Sequence, residues 1–255
     1  TVLAAWQYNR EIIALFGLVG AYAVPFLLSE DSGQVQILFS YIAIVNGGIL
    51  VIAFRKYWKL LYHAAFWFTW LIFSWWMVDD YSQERFFATG LIFVSIFYIL
   101  FYATFLAYKL VKKEAFNRWD ILLLLANTFI FFGFGYLMLE EHPTGKHLLG
   151  AFTVLNAAIH FVVGRLLYKD KLADRNLFYF VIGLVIVFLT MAIPIQLDGN
   201  WVTLFWAGEA ALLFWMGRSR QIAGFEKMAL PLMLLAFGSL LHDWSTSYDR
   251  YFYQE

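Results

Sequence analysis

Apolar residues fall in nine long runs, 12–28, 35–54, 60–78, 86–111, 121–139, 147–168, 177–195, 201–217 and 228–241, separated by short polar segments. Most reach the roughly 20 residues that a helix needs to cross a hydrocarbon core of about 30 Å. The pattern predicts an all-α chain, a polytopic membrane bundle of about nine transmembrane helices. The ninth run is short by this measure, so it either lies in the interface or leans on Lys227 reaching up to the surface. Composition agrees: 62% of the residues are hydrophobic and 14% charged, against about 45–50% and about 25% in soluble domains. Mean hydropathy is +0.68. A water-soluble core cannot absorb that excess, whereas a bilayer can.

Charge sorts by side. Arg10, then Arg55, Lys56 and Lys59, then Lys109, Lys112, Lys113 and Arg118, then Arg165, Lys169, Lys171 and Arg175, then Arg218, Arg220 and Lys227 gather on alternate loops. The opposite loops hold Arg85, Lys146 and Arg250 as their cations, with Glu30, Asp31, Asp79, Asp80, Glu140 and Glu141 among their acids. Because Lys and Arg favour the cytoplasmic side, the expected topology places the N-terminus in the cytoplasm and the C-terminus outside. Trp58, Trp75, Trp76, Trp119, Trp201 and Trp244 lie near run ends, where headgroup-level aromatic belts form. Formal net charge is zero, which gives no electrostatic case for nucleic acid. The expected partners are the lipid bilayer and other membrane subunits or further spans of the same chain. Residues 1–10 lack the features of a signal peptide, so the chain is expected to be a slice of something longer.

Sliding the chain by 110 residues superimposes Glu30-Asp31 on Glu140-Glu141, Asn46 on Asn156, Ile49 on Ile159 and Arg55 on Arg165. Four spans separate the copies, so the repeat is parallel. The chain therefore reads as one transmembrane bundle over 1–255, with repeat units 12–111 and 121–217 and the start of a third at 228–241. Small residues at Gly17 and Gly20, Gly47 and Gly48, and Gly133 and Gly135 are expected to let helices approach closely.

The candidate chemistry lies at bilayer depth. Glu209 sits at the centre of the eighth run, the most expensive place for a carboxyl, and an intramembrane acid marks a functional candidate. His160 follows Asn156 by one helical turn and shares its face. On other runs Asn46 stands near the midplane with Asn156, and Asn127 stands with His160 roughly 5 Å nearer the cytoplasm at 1.5 Å rise per residue. Together Glu209, His160, Asn156, Asn46 and Asn127 form the candidate intramembrane polar site. Structural hydrogen bonding between helices is the competing reading for each. His142 and His147 match no zinc signature, so no metal is expected. Cysteine is absent, which removes disulfides, thiolate catalysis and cysteine metal sites. No phosphate-binding glycine loop, HExxH or nucleophile elbow is present, and no cofactor is expected. Asp198-Gly199-Asn200 reads as a tight turn.

Three stretches carry a family resemblance: residues 10–25 (REIIALFGLVGAYAVP), residues 155–160 (LNAAIH), and residues 197–201 (LDGNW) with 206–211 (WAGEAA). They resemble the bacterial many-span membrane proteins grouped as domain of unknown function 2339. The resemblance implies a bacterial inner membrane location and a long array of spans, often behind a soluble or coiled segment. It implies no catalytic residues. Transport or channelling of a small solute or proton is the leading expectation, with Glu209 as carrier and His160 as relay. A membrane scaffold or assembly factor is the second reading, and a membrane-embedded acyl or glycosyl transferase the third.

Overall fold

A computed structural model of the chain describes residues 5, 7–28, 35–56, 58–112, 116–169, 175–196, 200–221 and 223–252. Among these lie nine α-helices and no strand: α1 (Glu11–Leu28), α2 (Val35–Ala53), α3 (Lys59–Asp79), α4 (Gln83–Lys112), α5 (Arg118–Glu141), α6 (Leu149–Lys169), α7 (Arg175–Gln196), α8 (Asn200–Arg220) and α9 (Ala223–Phe252). Each apolar run has its helix. The acidic pair Glu30-Asp31 and the turn residues Asp198 and Gly199 fall outside the described residues.

Six described stretches are long and apolar enough to cross a membrane: Val35–Ala53, Gln83–Ala107, Trp119–Glu141, Gly145–Tyr168, Leu177–Gln196 and Ala223–His242. In α1 the apolar stretch Glu11–Val24 is shorter. Helices α3 and α8 do not lack length, at 21 residues each. Their hydropathy is lowered instead, by Tyr62, His63 and four Trp in α3 and by Glu209 and Arg218 in α8. The ninth segment corrects an expectation. It is no short run, because α9 has 30 residues and its apolar stretch has 20. Lys227, read as a loop cation, belongs to its beginning.

Packing divides the chain into two compact units, residues 1–146 with 164–180, and residues 147–163 with 181–255. In the first unit, local chemistry sets the helix starts. Helix α5 opens on a capping box: Asn117 Oδ1 accepts from the Asp120 N–H and Asp120 Oδ2 accepts from the Asn117 N–H, both at 2.9 Å, which satisfies donors that a first turn leaves unpaired. No side chain of its own caps α3. Glu11, at the start of α1, reaches across so that its Oε1 accepts the Leu61 N–H at 3.1 Å, and Lys56 Nζ donates to Asn9 Oδ1 at 2.7 Å.

These bonds also report direction. The Glu11–Leu61 bond puts the starts of α1 and α3 at one end. Gln36 Nε2 donates to Thr89 Oγ1 at 3.2 Å, joining the starts of α2 and α4. The Phe87 ring stacks on His142 at 4.0 Å, bringing the end of α5 to the start of α4. Consecutive helices of this unit therefore alternate in direction. Its interior is aromatic. Phe39 of α2 meets Phe73 and Trp76 of α3 at 5.3 and 5.0 Å and Phe93 of α4 at 5.4 Å. Tyr98 of α4 stacks on Phe131 of α5 at 4.3 Å. Offset and edge-on ring pairs of this kind add about 0.5–1.5 kcal/mol each beyond area burial.

In the second unit α8 and α9 form an antiparallel hairpin. Arg218 faces Glu226 at 4.0 Å near the turn, and Thr203 Oγ1 donates to Ser239 Oγ at 2.8 Å toward the far end. Gln221 takes a left-handed backbone, φ 55°, and its Nε2 donates to the Arg218 carbonyl at 3.0 Å, covering an acceptor freed at the end of α8. Gly217 is where the hairpin demands glycine, since a Cβ there would lie 2.8 Å from the Glu226 backbone nitrogen. Four of the six glycines expected to pack helices do otherwise. A Cβ at Gly20, Gly47, Gly48 or Gly133 would meet nothing within 4 Å among the described residues, because close approach depends on where another backbone passes.

Apolar side chains face outward as well as inward, and a few polar ones are buried. Val78, Ile44 and Phe16 are 88%, 74% and 73% exposed, whereas Asn127, Asn156 and His160 are fully buried. Apolar exposure on that scale suits a hydrocarbon solvent.

Candidate functional site

Asn46 is the best-held of the sequence candidates. Tyr22 Oη of α1 donates to Asn46 Oδ1 at 2.9 Å, and Asn46 Nδ2 donates to Thr69 Oγ1 of α3 at 2.9 Å. Thr69 Oγ1 lies 2.6 Å from Tyr22 Oη. The phenol has a single hydrogen, already given to Asn46, so the Thr69 hydroxyl is the donor on this third side. The three bonds close a ring in which each residue gives once and receives once. Such a ring ties α1, α2 and α3 together, and bonds in sequence polarise one another.

On α5 Asn127 is fully buried, and its Nδ2 donates to the Tyr98 carbonyl of α4 at 3.0 Å. Its Oδ1 has no partner among the described residues. This bond holds two neighbouring helices in register, as interhelical amides do in membranes.

The other three candidates lie in the second unit. Asn156 turns back on its own helix, with Nδ2 donating to the Phe152 carbonyl at 2.9 Å, and its buried Oδ1 finds no partner among the described residues. The shift of 110 residues that equates it with Asn46 puts Phe132 where Tyr22 stands and Tyr179 where Thr69 stands. The Tyr22 hydroxyl thus has no counterpart at the shifted position, and a phenol stands in place of the Thr69 hydroxyl. His160, one turn on, is buried with its ring parallel to Phe188 of α7, 5.7 Å between centroids and 7° between planes.

Glu209 is half-buried on α8. Its Oε1 accepts from Thr190 Oγ1 of α7 at 2.9 Å, and its Oε2 is buried without a partner among the described residues. Thr190 Oγ1 also lies 2.8 Å from the Ile186 carbonyl, so its single hydrogen can serve only one of the two acceptors at a time, and the Thr190 carbonyl receives Trp206 Nε1 at 3.1 Å. Glu209 therefore stands in a small polar cluster with Thr190 and Trp206 between α7 and α8. Phe188 and Thr190 are two positions apart on α7, about 200° around the helix at 3.6 residues per turn. His160 and Glu209 consequently meet α7 on different faces, and each has its own partner there.

No group of three metal-binding side chains occurs among the described residues. His142 is engaged structurally, since its Nδ1 accepts the Gly145 N–H at 3.2 Å while its ring covers Phe87. Sequence reasoning missed Tyr22, Thr69, Thr190 and Trp206. Tyr, Thr and Trp are unremarkable within an apolar run, and no spacing rule joins positions 22, 46 and 69. Their roles arise only where different helices meet.

A family model described as predicted membrane protein (DUF2339) matches residues 1–250. No curated protein and no solved structure matches the chain.

Proposed function

The chain belongs to the DUF2339 family of predicted membrane proteins, and from that premise we propose a multi-pass protein of the bacterial inner membrane that moves a small solute or protons past Glu209. The observation that carries the proposal is a carboxyl at the middle of α8 with one buried oxygen unpartnered among the described residues. An acid held at bilayer depth without full hydrogen bonding is costly, by at least about 2.5–3.5 kcal/mol if ionised at the centre. A purely structural group would be better satisfied. In this reading Glu209 is the carrier, Thr190 and Trp206 orient it, and His160 with Asn156 lines a separate stretch of interior. Glu209→Gln reconstituted in liposomes is the test: flux is lost with the fold retained, and unchanged flux refutes the reading.

All nine helices cross the membrane in this proposal, with the N-terminus cytoplasmic and the C-terminus periplasmic. The loop cations support that orientation, and the shared end of the α1 and α3 starts supports passes of equal parity. The repeats at 12–111 and 121–217, with a third beginning at 228–241, would place equivalent spans in parallel. The chain has no cysteine, so single introduced cysteines report sidedness without background. Glu140→Cys is expected to react with an impermeant maleimide from outside intact cells, and Arg55→Cys only after lysis. The reverse labelling would overturn the orientation.

A scaffold role is the second reading, and the closed Tyr22–Asn46–Thr69 ring favours it. That ring gives every polar side-chain atom in it a partner on another helix, as helix-ordering contacts should. Intact flux in Glu209→Gln would leave it as the better account.

A further inference from the structure

Resting on the transport reading of Glu209, we infer that the species bound there is a proton and not a metal cation. Thr190 has one hydroxyl hydrogen and two acceptors in reach, the Ile186 carbonyl at 2.8 Å and Glu209 Oε1 at 2.9 Å. If Thr190 serves its own helix, the contact to Glu209 needs a hydrogen from the acid. A neutral Glu209 supplies it, donating to Thr190 Oγ1, and every hydrogen in the cluster then has an acceptor. The remaining carboxyl oxygen is left as an ordinary carbonyl, much less expensive to bury bare than a carboxylate oxygen.

The surroundings point the same way. Among the described residues no cation pairs with Glu209. Arg218 lies nine positions along α8, about 13 Å at 1.5 Å per residue, and faces Glu226 of α9. Lys227 follows Glu226 at that same end of the hairpin. His242 of α9 lies toward the opposite end, in a groove with Val202 and Trp206. His160 of α6 is on another face of α7, and the described side chains of α7 include no acid, Lys, Arg or His.

A metal ion finds little here. Hard cations take about six or more oxygens, and the cluster offers the two carboxyl oxygens and Thr190 Oγ1. The nearby Thr190 carbonyl is occupied by the Trp206 indole N–H, a donor that repels a cation. Uptake adds a proton from water to the carboxylate to give the neutral acid, and release returns that proton to water with no other bond changed.

The test is infrared difference spectroscopy on the protein in lipid at neutral pH, alongside proton and sodium flux in liposomes. Wild type is expected to show the carbonyl band of a protonated carboxylic acid, sensitive to deuteration and unmoved by sodium, potassium or calcium. Glu209→Gln loses the band and the proton flux. Thr190→Val keeps the acid and shifts its band, which holds the assignment open to test even where Glu209→Gln misfolds. Absence of the band together with flux that depends on Glu209 overturns the proton assignment while sparing the transport reading. A band that Glu209→Gln removes without changing flux supports the proton site and refutes transport. A band displaced by sodium overturns the inference outright.

Discussion

Replacing Thr69 by Val deletes one hydroxyl from the Tyr22–Asn46–Thr69 ring and keeps the side-chain shape. Two of three bonds go, at 2.6 and 2.9 Å, and only Tyr22 to Asn46 survives. Interhelical hydrogen bonds in membrane proteins average about 0.6 kcal/mol with a maximum near 1.7 kcal/mol, so two amount to about 1–3 kcal/mol. Tyr22→Phe also removes two bonds, one of them shared with Thr69. The double variant loses three bonds in all, so its destabilisation should fall short of the sum of the singles by about one bond, roughly 0.6–1.7 kcal/mol. Cooperative polarisation around the ring would enlarge that coupling. The assay is reversible unfolding in mixed micelles of increasing denaturing detergent, followed by circular dichroism, for wild type, both singles and the double. Additivity within about 0.3–0.5 kcal/mol, the scatter seen for independent sites, would refute the closed ring.

Three further outcomes follow from other parts of the molecule. Gly217→Ala would set a methyl 2.8 Å from the Glu226 backbone nitrogen, forcing α8 and α9 apart at a cost of about 1–3 kcal/mol; the same change at Gly47, where space is open, should be near neutral in the same melts. Tyr81, in the connection between α3 and α4, has its phenol pushed above its usual range by burial and by the nearby Glu141 carboxylate. The folded state therefore holds that proton more tightly than the unfolded chain. Its contribution is intact below the unfolded value of about 10 and is lost as pH rises through the folded value, so stability should decline faster with alkaline pH in wild type than in Tyr81→Phe. Asn117→Ala removes the capping box of α5 and should lower stability by about 0.5–2 kcal/mol, with Asn117→Asp largely restoring it; an unaffected Ala variant would show the cap to be idle.

Length and polarity of the nine runs were enough to place nine helices, because helix formation and membrane partition depend on local, additive properties of about 20 consecutive residues. Six of those runs carry the full apolar signal. α3 trades aliphatic residues for Trp and Tyr, and α8 holds Glu209, so neither carries that signal. The same local logic singled out Asn46, Asn127, Asn156, His160 and Glu209 as polar groups in an apolar stretch. What each one touches was decided by tertiary structure alone. Asn46 is enclosed by hydroxyls 24 residues before and 23 after it, while the Asn156 amide, 110 positions further on, bonds among the described residues to its own helix backbone. Glu209 and His160, natural partners by type, meet α7 on different faces. Glycines likewise could be located from sequence, but only the passage of another backbone makes Gly217 indispensable and leaves Gly47 free. Periodicity assigns a residue to a depth and a helix face; hydrogen bonds reach about 3 Å, so which polar groups pair depends on how separate helices are brought together.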